Sequence, residues 1–264
     1  MPTHLKHRSR PRLGRALCLF CWFAAAILAL GMMGSSRAVG QEGCSLILLL
    51  REDFDGVTPP ALPLGWSSTT WVTSNSGVPM PPADTLPNAA LIDAPAAISD
   101  KPLDSPSIFL SQGGELAQIT FGNNFNLQDG FDGGVLEISR AGTPFQDILA
   151  VGGTFASGGY NGTISNCCGN PLAGRQAWTG NSGRFITTVV HLPINWGPNM
   201  VLRWRMGSDS SVSGQGWRVD NIVVTQCHKP VPSVTPTPSE PPPPPTPKPT
   251  PTARPRPTPA PRPP

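Results

Sequence analysis

The sequence predicts an all-β domain, a sandwich or barrel of about ten strands, followed by a tail without regular structure. Three observations support this prediction. The middle of the chain has short apolar runs separated by Gly, Pro, Asn and Asp, and no stretch shows a helical period. Several runs alternate apolar and polar residues, as strands with one buried face do. Half of the 36 residues from 229 to 264 are proline, a composition typical of an extended, disordered segment.

The candidate strands differ in clarity. In "VLRWRM", Leu202, Trp204 and Met206 share one face, and the two arginines point the other way. The six clearest strands are 45–50, 119–127, 134–139, 185–192, 201–206 and 217–224. Weaker candidates lie near 68–73, 89–93, 107–110 and 147–151.

The first 40 residues predict the compartment. A basic stretch is followed by the apolar run 16–33 and then by small residues, which is the order found in a secretory signal peptide. We therefore expect a signal peptide at 1–40 and a secreted, extracellular or cell-surface protein. The alternative is an uncleaved N-terminal membrane anchor, because 18 apolar residues are barely enough to span a bilayer.

Charge divides the rest of the chain into two parts. The predicted folded domain, 41–228, has eight Lys/Arg and fifteen Asp/Glu, a net charge of −7, which argues against nucleic acid as a partner. The tail, 229–264, has five Lys/Arg and one Glu, a net charge of +4. This basic tail could contact an anionic cell-wall polymer or membrane surface, or it could serve only as a solubilising spacer.

The cysteines predict disulfides. Removal of the leader leaves four, Cys44, Cys167, Cys168 and Cys227, an even number in an oxidising compartment. None of the four forms a CxxC pair, so the usual zinc and thioredoxin-like spacings are absent. If the terminal strands are neighbours, Cys44 pairs with Cys227 and the adjacent cysteines pair with each other. The alternative is a crossed pairing, in which Cys167 and Cys168 reach the other two separately.

No recognisable catalytic motif is present. The sequence contains neither HExxH nor GxSxG, and no Gly-rich phosphate loop opens a helix. His191 is the only histidine within the predicted domain away from its end, and a lone strand histidine is more often structural than catalytic. We therefore predict no catalytic residues and no enzyme. The alternative is a glycosidase or lyase that uses a pair of the fifteen carboxylates.

A structural calcium site is predicted from acidic residues near the two ends of the domain. Asp220 lies in "WRVDNIVV", where simple alternation places it on one face with Ile222 and Val224. A partly buried carboxylate needs a cation or hydrogen-bond donors. If the first and last strands are neighbours, Glu52 and Asp55 in "REDFDG" could converge with Asp220 on a calcium ion. Otherwise Asp220 pairs with a strand arginine or caps backbone amides.

Two loops contain further acidic residues. "QDGFDGG" offers Asp129 and Asp132, but two Asp-Gly pairs before a strand predict a turn first and calcium only second. "GSDSSVSGQG" is expected to be a flexible hairpin loop, although its Asp209 and hydroxyls lie where a ligand-binding loop could form.

Three aromatic residues are candidates for ligand binding. Tyr160, Trp178 and Trp196 lie in segments rich in Gly, Asn and Pro rather than in clear strands. Exposed aromatic faces are how a β-sandwich would hold a sugar ring or a peptide. The alternative, which the sequence favours, is that these rings cover the ends of the sandwich.

Four segments give the chain a family resemblance. The chain resembles secreted bacterial jelly-roll domains, related to MAM-type and concanavalin-like sandwiches, that often lie C-terminal to fungalysin-like, immune-inhibitor-like and subtilisin-like peptidases. The segments are "EDFDGVTPPALPLGW" (52–66), "FDGGVLEIS" (131–139), "GGYNGTIS…GNPLAGRQAWTG" (158–180) and "LRWRMGSDSSVSGQGWRVDNIVV" (202–224). The resemblance implies a two-sheet antiparallel jelly-roll sandwich. Similarity to jelly-roll carbohydrate-binding modules also implicates Glu52, Asp55 and Asp220 as calcium ligands.

The predicted function is that of a secreted, non-enzymatic β-sandwich module. We expect it to bind a surface glycan or protein, or to serve as an extracellular structural accessory. Calcium is the only cofactor that the residues suggest.

Overall fold

The structure is a computed structural model that describes residues 44–111, 114–193 and 198–228. The predicted signal peptide and the tail lie outside these ranges. The described residues form fourteen strands and no helix, so no helix that could cross a bilayer is present among them. The all-β prediction is confirmed.

The strands are short to medium in length. In chain order they are β1 Ser45–Glu52, β2 Val72–Ser74, β3 Ala89–Ile92, β4 Ser99–Asp104, β5 Ile108–Phe109, β6 Gly114–Asn126, β7 Gly133–Arg140, β8 Gln146–Asp147, β9 Thr154–Ser157, β10 Gly162–Thr163, β11 Gln176–Ala177, β12 Ile186–Pro193, β13 Asn199–Ser208 and β14 Gly216–His228.

Two antiparallel sheets form the sandwich. The larger sheet has seven strands in the order β2-β3-β14-β6-β12-β9, with β1 also paired to β14. The smaller sheet has five strands in the order β4-β13-β7-β8, with β5 also paired to β13. Early strands pair with late ones alternately in the two sheets: β3 with β14, β4 with β13, and β6 with β12. This nested pairing is that of a jelly roll, as predicted.

Alternation along the strands builds one core between the sheets. Leu202, Trp204 and Met206 of β13 are fully buried in it. Arg203 and Arg205 point away from the core, as the sequence predicted, and form ion pairs with aspartates of β4. Neither arginine pairs with Asp220, which excludes that alternative for this carboxylate.

The glycines of "FDGG" allow the sheets to approach closely. A Cβ atom on Gly134 of the smaller sheet would lie 2.6 Å from the Trp217 ring of the larger sheet. No such approach is possible for a residue with a side chain, so Gly134 lets the fully buried Trp217 fill the space between the sheets.

One face assignment in β14 is corrected by a β-bulge. Between Asp220 and Val223 the pairing of β14 with β6 shifts register, and Asn221 in the bulge has a φ of 51°. As a result Ile222 and Val224 join Trp217 in the core, whereas Asp220 lies on the opposite face. The prediction that Asp220 shares a face with Ile222 and Val224 was therefore wrong, because simple alternation assumes no bulge.

Candidate functional site

The three carboxylates predicted to bind calcium do not form a metal-binding group. No cluster of three or more acidic, His or Cys side chains suited to a metal occurs among the residues that the structure describes. Glu52 Oε1 accepts from the amide of Phe54 at 2.8 Å, and Asp55 Oδ1 from that of Asn88 at 2.8 Å. Each carboxylate therefore ties down a separate piece of backbone, although β1 and β14 are neighbours as the hypothesis required.

Asp220 caps backbone amides, as the alternative proposed. Its Oδ2 accepts from the amides of Asp84 and Thr85 at 2.8 and 3.0 Å, and its Oδ1 from that of Asn221 at 2.7 Å. Complete burial raises the pKa of Asp220 to about 7. Asp220 thus fixes the segment between β2 and β3, residues 75–88, against the outer face of the larger sheet. We call this segment the covering loop.

Arg218 holds the other half of the covering loop. Its guanidinium is fully buried and has no carboxylate partner among the described residues. Burial lowers the pKa of Arg218 to about 10, so the side chain still carries its charge at neutral pH. Five backbone carbonyls accept its hydrogen bonds: those of Ser74, Ser76, Val78, Pro79 and Pro82.

Of the three aromatic candidates, Trp178 belongs to the core and Tyr160 packs against it. Trp178 is fully buried, and its Nε1 donates to the carbonyl of Gly158 at 2.9 Å. Tyr160 packs edge-on against Trp178 with ring centroids 4.8 Å apart, and burial raises its pKa well above the usual value. The ring of Trp178 is not available to stack on a ligand, so the prediction of a binding role is corrected for this residue. Tyr160 is half-buried against the core, and its binding role stays a prediction. Trp196 lies outside the described residues.

The four cysteines form two bonds. Cys44 is joined to Cys227, with Cα atoms 5.4 Å apart, where β1 pairs with β14. Cys167 is joined to Cys168 in an exposed loop. The crossed pairing is not formed.

Charged residues form a hydrogen-bonded network on part of the outer face of the smaller sheet. Arg175 Nη1 donates to Glu137 Oε1 at 2.5 Å, and its Nη2 donates to Asp147 Oδ2 at 2.8 Å. Arg205 also reaches Glu137, at 3.2 Å. A cleft of about 280 Å³ borders Asp147 and Arg175. The network attaches the segment before β11 to β7, and Glu137 Oε2 remains buried without a partner among the described residues.

A second cleft is lined by neutral amides. It has a volume of about 250 Å³, and its wall comes from the covering loop, from the end of β6 and from two loops: Val78, Pro79, Met80, Asn124, Asn126, Asn181, Gly183 and Gln215. The side chains of Asn126 and Gln215 and the Nδ2 of Asn181 make no hydrogen bond within the described residues. We call this site the amide cleft. The sequence gives no sign of this cleft, because its residues are scattered over four segments.

Asp132 and Asp209 form a buried acidic pair. Asp132 precedes β7 and Asp209 follows β13, and they are 0% and 1% exposed. Because β7 and β13 pair at Gly133 and Gly207, the two acids lie at the same end of the smaller sheet. Burial, together with the charge of Asp209, raises the pKa of Asp132 to about 6. The sequence placed these acids in two separate loops and did not predict that they meet.

In metal-free buffer, we expect the domain to lose stability as the pH rises from about 4 to about 6. The unfolded Asp132 ionises first, because its pKa is about 3.9, whereas the folded group keeps its proton to about pH 6. The unfolded state then binds fewer protons, so stability falls by up to about 3 kcal/mol. Urea unfolding of wild type and Asp132→Asn at pH 4 and pH 7 measures the difference. Equal pH slopes in the two proteins would contradict the assignment.

Comparison with known proteins gives only distant similarity. No protein-family model matches the chain, and a search of curated proteins finds no match. Among solved structures, the CBM22-1 xylan-binding domain from Paenibacillus barcinonensis Xyn10C is 10% identical, with 69% of this chain and 96% of that chain covered and a TM-score of 0.40. The K1 cleaved adhesin domain of Lys-gingipain from Porphyromonas gingivalis is 16% identical, covering 68% and 97%, with a TM-score of 0.38. TmCBM61 in complex with beta-1,4-galactotriose is 8% identical, covering 61% and 86%, with a TM-score of 0.38.

Proposed function

We propose that this domain is a secreted, non-enzymatic module that binds a neutral glycan in the amide cleft. The observation that carries the proposal is a set of side-chain groups that face one open, uncharged cleft and make no hydrogen bond within the described residues: the amides of Asn126 and Gln215 and the Nδ2 of Asn181.

The lining of the amide cleft suits sugar hydroxyl groups. No Asp, Glu, Lys, Arg or His is among its lining residues, so a charged ligand would find no counter-charge there. A primary amide offers both a donor and an acceptor, and each sugar hydroxyl can use both. Val78 and Met80 are exposed beside the amides and offer apolar contact for the C–H face of a sugar ring. The cleft is smaller than the roughly 300–1,000 Å³ typical of drug-sized ligands, so we expect it to hold a short segment of a glycan.

The proposal places the domain outside the cell. A basic and apolar leader precedes the domain, and the two disulfides suit an oxidising environment. The tail, with its net charge of +4, would then lie outside the cell, where it could contact anionic cell-wall polymer or a membrane surface.

We expect Asn181→Ala and Gln215→Ala each to weaken glycan binding about 5- to 10-fold, as the loss of a hydrogen bond worth about 1 kcal/mol predicts. A glycan array identifies the ligand class, and calorimetry with soluble xylan, mannan and galactan oligosaccharides measures affinity. Gln176→Ala is the matched control, because this exposed amide lines the other cleft. If Gln176→Ala weakens binding and the other two variants do not, the ligand binds in the cleft beside Asp147 and Arg175 instead.

The second candidate function is glycoside cleavage at the charged face. It is suggested by two carboxylates, Glu137 and Asp147, that share Arg175, and by the unpartnered Oε2 of Glu137. Incubating the domain with the same glycans and assaying for new reducing ends tests it. Product that disappears in Glu137→Gln would favour the enzyme, whereas binding without product supports the binding module.

A further inference from the structure

The acidic pair Asp132 and Asp209 has no balancing cation in the described part of the chain. No Lys, Arg or His pairs with either residue there. Two neighbouring carboxylates that are both almost fully buried repel each other and lose hydration when ionised. Such an arrangement is stable near neutral pH only if something supplies positive charge or a proton.

The hydrogen bonds leave one carboxylate oxygen without a partner. Asp132 Oδ1 accepts from the amide of Asp209 at 2.9 Å, but Asp132 Oδ2 is buried and has no partner among the described residues. Asp209 Oδ1 accepts from the amide and the hydroxyl of Ser211, at 2.6 and 3.0 Å. Native structures seldom leave a buried polar atom unsatisfied, so an unpaired buried carboxylate oxygen points to a bound group.

We propose that Asp132 and Asp209 bind a divalent cation of the calcium class. Their carboxylate oxygens are hard ligands. Two further oxygen ligands are available beside them: Ser211 Oγ, which lies 3.3 Å from Asp209 Oδ2, and Gln128 Oε1, which lies 3.5 Å from Ser211 Oγ. Calcium takes six to eight oxygen ligands, including water and backbone carbonyls, in a flexible geometry. Neither His nor Cys is within this group of residues, which disfavours a zinc site.

The cation would connect two loops that adjoin the amide cleft. Asn126 directly precedes the turn that contains Asp132, and Gln215 ends the loop that contains Asp209. The amide of Gln215 donates to the carbonyl of Asn126 at 2.9 Å, so the two loops are in contact. This consequence rests on the proposed glycan function, whereas the metal site itself does not depend on it.

Calcium titration of the purified, chelator-treated chain tests the site. We expect one calcium ion per chain and a rise of several degrees in Tm at pH 7.5. Loss of even an outer partner of a metal ligand typically costs about 10–100-fold in affinity, so we expect Asp132→Asn and Asp209→Asn to weaken binding by at least about 100-fold. Asp129→Asn is the matched control, because it changes an exposed acid in the same turn.

The outcomes separate the alternatives. No saturable calcium binding by the wild type overturns the site and leaves Asp132 as a proton-binding group. Binding that survives Asp132→Asn and Asp209→Asn but is lost in Asp55→Asn also overturns it, and assigns the ion near β1. Asp132→Asn and Asp209→Asn each keep the side-chain shape and remove a buried charge. The Tm of each variant in chelator should therefore equal or exceed that of the wild type. If one of the two variants has a lower Tm than the wild type in chelator, the calcium affinity of the other variant and the calcium stoichiometry of the wild type decide whether the site exists.

Glycan binding is measured separately with and without calcium. If calcium binds but glycan does not, the metal site stands and the proposed function fails. If glycan binds equally well in chelator, the amide cleft does not depend on the cation.

Discussion

Replacing Cys44 and Cys227 by serine is expected to lower the free energy of unfolding by about 5 kcal/mol. The bond joins residues 183 positions apart, so it removes a large loop-closure entropy from the unfolded chain. For a domain of this size we expect Tm to fall by about 10–20 °C. Urea unfolding of the double variant and the wild type under non-reducing conditions measures the effect.

The second disulfide provides the control. Cys167 and Cys168 are adjacent, so their bond closes almost no loop and constrains the unfolded chain very little. We expect their double serine variant to lose about 1 kcal/mol or less. A similar loss in both double variants would contradict the entropic explanation, and would show that the stabilisation comes from contacts in the folded state.

Arg218→Met is expected to destabilise the domain by about 3–5 kcal/mol, the usual cost of breaking a buried polar network at one partner. The guanidinium is the common donor to five carbonyls of the covering loop and the strand before it, and methionine offers them no donor. Because Arg218 holds the covering loop against β14, we also expect the loop to become sensitive to proteolysis in this variant. Chemical unfolding and limited proteolysis measure the two effects.

Arg203→Met is the matched control for this variant. Arg203 also projects outward from a central strand, but its partners are part-exposed side chains: Asp104 at the sheet edge, which accepts through both carboxylate oxygens, and the Phe145 ring, whose centroid lies 3.6 Å from the guanidinium carbon. Together, such part-exposed contacts contribute about 1–2 kcal/mol, less than we expect for Arg218. If the two methionine variants lose equal stability, the carbonyl contacts of Arg218 are not what secures the covering loop.

The long strands were predictable because their apolar residues follow a period of two. Ile119, Phe121 and Phe125 stand at positions of one parity in the predicted strand 119–127, and they lie together in the core. The edge strand β4, "SDKPLD", was missed, since it contains Lys, Asp and Pro, which disfavour strands in isolation. Strand β4 is stabilised by its pairing with β13 and by two ion pairs between the two strands. These contacts cannot be inferred from the sequence of β4 alone.

The candidate sites were less predictable than the fold, because they depend on contacts between distant segments. Trp178 looks like a loop residue in sequence, but loop 158–180 folds inward and buries it. No pattern in the sequence indicates that Arg218 is buried, because its burial depends on the covering loop that lies over it. Asp132 and Asp209 meet only through the pairing of β7 with β13, which no local pattern reveals.

The position of β14 has a consequence for the order in which the domain can fold. This strand pairs with β1, β3 and β6, yet it is the last strand of the domain to leave the ribosome. Its pairing with β1 links residues nearly two hundred positions apart, and such non-local contacts form slowly. The larger sheet therefore cannot close until β14 has been synthesised. A chain that must stay open until its final strand arrives is well suited to export across a membrane before folding, and depends until then on protection of its exposed apolar strands.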